Sequence, residues 1–389
     1  MTHMKQEIPS FFCPTRIHLG EGAARGLPAL IKQYKAPSAF MFVDEAVKQT
    51  PFVHAITQDL AQAGIEVHQF SDIEPDPGTT TVESAYRKAL AVLPEVLVAI
   101  GGGSTMDVAK AVGILMTNAG QIHDYEGIER FSTPPTPLIA IPTTAGTGSE
   151  VSGSCVITDD KQQRKMSIRH ARLNPAQHAI LDPQALCTLP AHVAAHAGLD
   201  AFVHALESYT SRQANLMTDA MNRQALTLIS THLRAFVADR TNLPAGLGML
   251  TGSALTGMAF GQTGLGNVHC MARFIGAKLH LSHGLSNALC LPVVAQFNRS
   301  ARTVKYADIA RIMGSASPDD PDDVAAQLAV DAIRQLCRDV DIPQSLRLVG
   351  ADPETFAEMA ALCANAGYNR WNPRETSEAD FLALFKQAY

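Results

Sequence analysis

Through the first half of the chain, short runs of apolar residues alternate with longer stretches in which apolar positions recur on one helical face. Ser38–Val43 reads as a strand, residues 52–63 as a helix and 65–70 as a second strand. Helical 81–90 leads to the continuous apolar run 96–100, then to a small-residue helix over 104–116 and another buried run at 138–141. Strands that are apolar at every position need cover on both faces. The pattern therefore predicts a parallel sheet flanked by helices.

Beyond about Pro183 the period changes. Apolar residues recur three or four apart, as in Leu226, Ile229, Leu233 and Phe236, and again in Val324, Leu328, Ala332 and Leu336. This half reads as all-helical, with residues 181–190 as the candidate boundary. The expected organisation is an α/β domain over 1–185 and a helical domain over 186–389, with a ligand-sized cleft between them.

At 389 residues the chain is too long for one ordinary core. Its 31 basic and 37 acidic residues give a net charge of −6 without long blocks of either sign, so no nucleic-acid or membrane-surface footprint is expected. The segment 1–9 lacks the apolar run of a secretory signal, and no stretch approaches the roughly 20 apolar residues of a membrane span. Seven cysteines (Cys13, Cys155, Cys187, Cys270, Cys290, Cys337, Cys363) are odd in number and never form C-x-x-C. That fits reduced thiols used as small core residues in a cytoplasm. A small molecule is the expected partner.

Two segments carry the chemistry of a nucleotide site. Gly101-Gly-Gly-Ser104 follows a strand and opens a helix, where glycine backbone and free N–H groups can meet a pyrophosphate. Ser104 can cap that helix or bond a phosphate. It is not the G-x-G-x-x-G fingerprint, since Met106 stands at the last glycine. Pro142-Thr-Thr-Ala-Gly-Thr-Gly-Ser-Glu150 follows the next strand, where hydroxyls and glycines can wrap a nucleotide or form a plain solvated loop. Asp44, at a strand tip, can accept from ribose hydroxyls or start a turn. Gly20-Glu-Gly22-Ala-Ala-Arg-Gly26 has the wrong spacing and no strong strand before it, and reads as a turn.

A second set suits a metal. Asp200 and His204 lie four apart on what reads as an amphipathic helix with the stripe Leu199, Phe202, Val203 and Leu206, so both leave one face. They can share an ion or simply hydrogen-bond each other. His269 and His283 are fourteen apart, about 21 Å along a continuous helix, and converge only if the chain turns back. Ser282-His283-Gly284 offers turn chemistry for that reversal. One carboxylate and three imidazoles would suit Fe2+, Zn2+ or another divalent ion. His192, His196 and His280 read as surface or core residues.

Taken in order, Gly101-Gly-Gly-Ser-x-x-Asp107-x-x-Lys110, Pro142 through Val151, Gly198-Leu-Asp-Ala-x-x-His204-Ala-x-Glu-x-Tyr209, and Gly264-Leu-Gly-x-x-His269 through His283-Gly284 resemble the iron-containing (group III) alcohol dehydrogenases, near the lactaldehyde reductase and 1,3-propanediol dehydrogenase members. The resemblance covers nearly the whole chain. It implies a Rossmann-like parallel-sheet domain followed by an all-α domain (a dehydroquinate synthase-like fold) and an NAD-dependent, metal-dependent enzyme acting on a small alcohol or aldehyde, as a homodimer or larger assembly. It puts Asp200, His204, His269 and His283 on the metal ligands, and Gly102, Gly103, Ser104, Asp107, Thr143, Thr144 and Thr147 in the cofactor-loop motifs. Lys165 falls on a cofactor-contacting lysine, Asp44 on the acid associated with NAD over NADP, and Phe260 on a pocket aromatic. A polyol dehydrogenase, a related lyase or a non-catalytic nucleotide-binding protein are the alternatives.

The chain also departs from the family pattern. Arg273 stands where many members have histidine near the nicotinamide; an arginine stays protonated and relays no proton at neutral pH. It can hold an anionic group on a substrate, or pair with cofactor phosphate or an acid. Ser154 and Asp76 replace asparagines near the nicotinamide and adenosine. Tyr368 and Trp371 replace smaller residues and would narrow the pocket.

Overall fold

The computed structural model describes residues 11–162 and 164–389; the segment read above as lacking a secretory signal lies outside them. Among the described residues nine strands fall in the first half: β1 (Arg16–Leu19), β2 (Ser38–Val43), β3 (Glu66–Phe70), β4 (Leu97–Gly101), β5 (Gly127–Ile128), β6 (Leu138–Pro142), β7 (Ser154–Asp159), β8 (Arg164–Arg169) and β9 (His178–Leu181). Six of them form an all-parallel sheet in the order β1-β9-β6-β4-β2-β3.

Every residue of β4, β6 and β9 is buried, as continuous apolar strands require. Alternate side chains feed opposite faces. Phe40, Phe42, Leu97 and Ala99 pack with the helix Gly103–Thr117. Met41, Val43, Val98 and Ile100 pack with the helices Leu27–Gln33 and Pro51–Gln62. The chain leaves β2 towards β3 and returns on the other side as β4. The switch point between β2 and β4 opens a crevice at their carboxyl ends, holding Asp44 and Gly101.

The sequence pattern gave no hint of the second sheet, β5-β8-β7. Its core is an antiparallel pair in which Cys155 and Ile157 face inward with Met166 and Ile168. Such period-two signals are short and lie among polar residues. A short strand, β1, does precede Gly20–Gly26; it is an edge strand without a buried residue, and the glycine segment is a turn entering a 3-10 helix.

Past Leu181 the described residues form helices and turns only. Ala191–Thr210 is not the amphipathic helix expected: from Gly198 onward it is buried on every side, at the centre of the helical core. The helix Leu243–Thr263 is long and apolar enough, by length and composition alone, to cross a membrane, contrary to the sequence expectation. Its buried residues pack against Ala191–Thr210 and Leu216–Ala238, so its apolarity serves the core. On Asp322–Asp339 the buried stripe is Ala325, Ala326, Ala329, Val330, Ile333, Leu336 and Cys337; of the expected stripe Leu336 is buried and Leu328 packs on the core, while Val324 is 48% exposed. Small alanines carry that face, and a pattern read from large residues misses it. All seven cysteines are free.

Candidate metal and cofactor site

Four donor atoms, one each from Asp200, His204, His269 and His283, lie within 4.8 Å of one another. Asp200 and His204 leave the central helix one turn apart. His269 is the third residue of the helix Asn267–Leu279. That helix ends at His280, whose φ of 53° turns the chain left-handed. The reversal thus occupies 280–282; His283-Gly284 opens the next helix, His283–Asn298, and does not form the turn itself. A side chain on Gly284 would lie 2.3 Å from the His196 carbonyl oxygen, so the close approach demands glycine.

The donor geometry fits a small cation. The Nε2 atoms of His204, His269 and His283 lie 3.9, 3.7 and 3.7 Å from Asp200 Oδ1. The other ring nitrogens of His204 and His269 are held elsewhere. His204 Nδ1 lies 3.2 Å from the Gly146 carbonyl, and His269 Nδ1 lies 2.7 Å from Glu207 Oε2. An imidazole donating from Nδ1 presents the Nε2 lone pair to the centre, the state in which it ligates a metal. Burial pushes His204 down to about 3, and desolvation on its inward side also lowers half-exposed His283, which keeps both neutral. Burial alone would raise the Asp200 pKa, but His204, His283 and His269 outweigh it and hold the carboxyl below its usual range. An anionic carboxylate facing neutral imidazoles lacks one thing, a positive charge.

Two residues in this shell were not singled out from the sequence. Buried Glu207 also accepts from the backbone N–H of Gly266 and Val268, fixing the start of the His269 helix. Its position, three after His204 on one helix, was the available signal. Asn287, one turn after His283, donates to Asp200 Oδ1 at 2.7 Å and lies 3.2 Å from Nε2 of both His269 and His283. Phe260 stacks on His204 at 4.5 Å.

The glycine turn sits at the switch point. Gly102 is the N-cap of the helix Gly103–Thr117 and makes no side-chain cap bond; Ser104 is not the cap, because its Oγ accepts from Asp76 N at 3.3 Å. These glycines answer a steric need more than a conformational one: a side chain on Gly101 would meet Thr105, and one on Gly103 would meet Thr147. The helix start is thereby left open for a ligand. Asp44 Oδ1 accepts from Ala46 N, so it does initiate a turn while standing beside β4. Lys165 Nζ bonds Asp76 Oδ1 at 2.7 Å.

Asp107 points away from this turn. It is half-buried, accepts from Ser149 Oγ and Val156 N, and is pushed up to about 6 by desolvation. Beside it buried Lys110 donates to the carbonyls of Ser149, Ser152 and Ser154, and burial raises neighbouring Glu150 to about 7. This polar cluster fixes residues 143–154 beneath the cleft. The same loop carries Thr143, Thr144 and Thr147, and through Gly146 it touches His204. Nucleotide loop and metal ligand are thus joined by one segment.

Around the outer side of the cleft, Trp371 packs so closely on Gly264 that a side chain there would lie 2.4 Å from the indole. Tyr368 meets Trp371 edge-on at 6.1 Å, with Arg273 an electrostatic neighbour of its hydroxyl.

The profile of the iron-containing alcohol dehydrogenases matches residues 14–183, and that of the C-terminal part of the Fe-containing alcohol dehydrogenase family matches 194–389. A 1,3-propanediol dehydrogenase of Citrobacter freundii is 40% identical over 330 residues, 85% of each chain. A sulfoacetaldehyde reductase of Bilophila wadsworthia is 33% identical over 377 residues, 94% of this chain and 95% of the relative. The crystal structure of a 1,3-propanediol oxidoreductase superposes with a TM-score of 0.95 at 36% identity, covering 98% of this chain and 100% of the other.

Proposed function

The chain belongs to the iron-containing alcohol dehydrogenase family, and on that premise we propose that it moves a hydride between NAD(H) and a small alcohol or aldehyde at one divalent ion, Fe2+ first, with Zn2+ as the competitor. The observation that carries this reading is the convergence of the Asp200, His204, His269 and His283 donors. In the reducing direction an aldehyde, NADH and a solvent proton give an alcohol and NAD+. When bound, the ion supplies Lewis acidity towards the substrate oxygen and the nicotinamide carries the hydride.

The protein's part is to bind and to orient. The N–H groups at Gly102, Gly103 and Ser104 would hold pyrophosphate, with Thr143, Thr144 and Thr147 wrapping it from the next loop. Asp44 would accept from ribose hydroxyls and repel a 2′-phosphate, favouring NAD over NADP. Asp76, Lys165 and Ser154 would line the same edge, with Asp107 supporting from beneath. Phe260, Tyr368 and Trp371 would enclose the substrate side and limit water. The sulfoacetaldehyde reductase widens the eligible substrates to aldehydes with an anionic group. The division at 185/186 lies within a 3-10 turn, Pro183–Leu186, which supports it as the domain boundary. Free thiols fit a cytoplasmic enzyme, and the open edge of β1, with Leu19 58% exposed, supports a homodimer or larger assembly.

The test is reduction of short aldehydes by NADH with metal-stripped protein and defined ions. Turnover should require a divalent ion and vanish in Asp200→Asn, while NADH binding by fluorescence titration persists. Metal-independent turnover, or no reduction of any aldehyde, would overturn the proposal.

A further inference from the structure

Arg273 follows His269 by one turn of the same helix, so the two side chains leave one face about 6 Å apart along the axis. Its guanidinium is an electrostatic neighbour of the Tyr368 hydroxyl. Arg169, the last residue of β8 and the register partner of Ser154, lies within electrostatic reach of Tyr368, Arg370 and Arg273. Arg370 stacks on Trp371, with Cζ 3.8 Å from the ring centroid. Three exposed guanidinium groups from three separate segments therefore lie within electrostatic reach of one another, one of them a helical turn past His269.

Most arginines of the described residues meet no acid, and these three are among them. Arg164, Arg223, Arg234, Arg311 and Arg334 each meet a carboxylate. Among the described residues, Arg169, Arg273 and Arg370 form no ion pair with an acid. Like charges held near one another repel, and desolvation, with the Arg370 and Arg273 guanidiniums outweighing the opposing pull of Tyr368, lowers the Arg169 pKa although its side chain remains exposed. A bound anion would relieve that repulsion and use donors left free for planar, bidentate contacts.

We propose that Arg169, Arg273 and Arg370, with the Tyr368 hydroxyl, form an anion-recognition site that selects short aldehydes and alcohols bearing a carboxylate, sulfonate or phosphonate a few bonds from the reacting carbon. This rests on the dehydrogenase reading above. The roughly one-turn offset between Arg273 and His269 sets the spacing, too short for a long-chain acid and too long for an anion on the reacting carbon itself.

The experiment compares kcat/KM for succinic semialdehyde, sulfoacetaldehyde and phosphonoacetaldehyde with that for uncharged aldehydes of matched length, and tests propane-1-sulfonate as an inhibitor of neutral-aldehyde reduction. The expected result is a preference of about 10- to 100-fold for at least one anionic aldehyde, weakened by salt. That ratio should collapse towards unity in Arg273→Gln and fall in Arg169→Gln and Arg370→Gln. Propane-1-sulfonate should inhibit competitively, a readout on wild-type protein that needs no variant to fold. Neutral aldehydes reduced as well as anionic ones, without sulfonate inhibition, would sink the anion site and leave the dehydrogenase reading standing. If no aldehyde is reduced at all, both fall.

Discussion

Glu207 binds three donors at once: the ring nitrogen of His269 and the two backbone N–H groups at the start of that residue's helix. Replacing it by glutamine removes the charge and puts a donor where one of its two acceptor oxygens stood. Glu207→Gln should weaken metal affinity about 10- to 100-fold, measured by competition with a chromophoric chelator. Unaltered affinity would show that His269 is oriented without it. The donors themselves were legible because an i,i+4 carboxylate–imidazole pair is a local pattern and the motif order is specific. Their supports were not. Glu207 and Asn287 look like ordinary polar helix positions until the fold brings residues 60 and more apart into contact, and Arg169 and Arg370 gain meaning only beside Arg273.

Between elements, the loop after β6 rests directly on the helix Leu243–Thr263. Gly148 has φ 60°, and its oxygen would lie 2.6 Å from a side chain built on Gly257. Backbone meets backbone there, so neither can give way cheaply. Gly257→Ala should cost roughly 1–3 kcal/mol in urea unfolding. It should also weaken NADH binding by displacing the Thr147 loop, read by fluorescence titration; wild-type binding would separate the loop's position from cofactor affinity. The strands and helices that the apolar period marked over 38–141 formed with ends displaced by at most two residues, while β1, the helix Leu27–Gln33 and β9 went unread. The β7–β8 pair was not, since its inward residues are only four. Nor was the alanine part of the Asp322–Asp339 stripe, because alanine buries a face without marking it.

For the molecule as a whole, the change of period near Pro183 announced two halves, but not how they meet. That depends on the His204–Gly146 contact and on the Gly148–Gly257 seam, which no local pattern encodes. The four donors come from three helices, so an ion links them in the folded state and finds no such set in the unfolded chain. Stripping it should lower thermal stability: at one hundred times Kd, loading adds about 2.7 kcal/mol by mass action. Calorimetry of stripped and reloaded protein should show the rise, and Asp200→Asn should lose it. Equal transitions with and without metal would mean that the site is fully preorganised but does not bind.

His283 stands apart from its companions in one respect: its side chain is 44% exposed, against 3–5% for Asp200, His204 and His269. The centre is a room with three closed walls and a single doorway. Traffic in ions and in reactants has to pass the same imidazole, so a seated reactant would bar the metal's exit and slow its exchange.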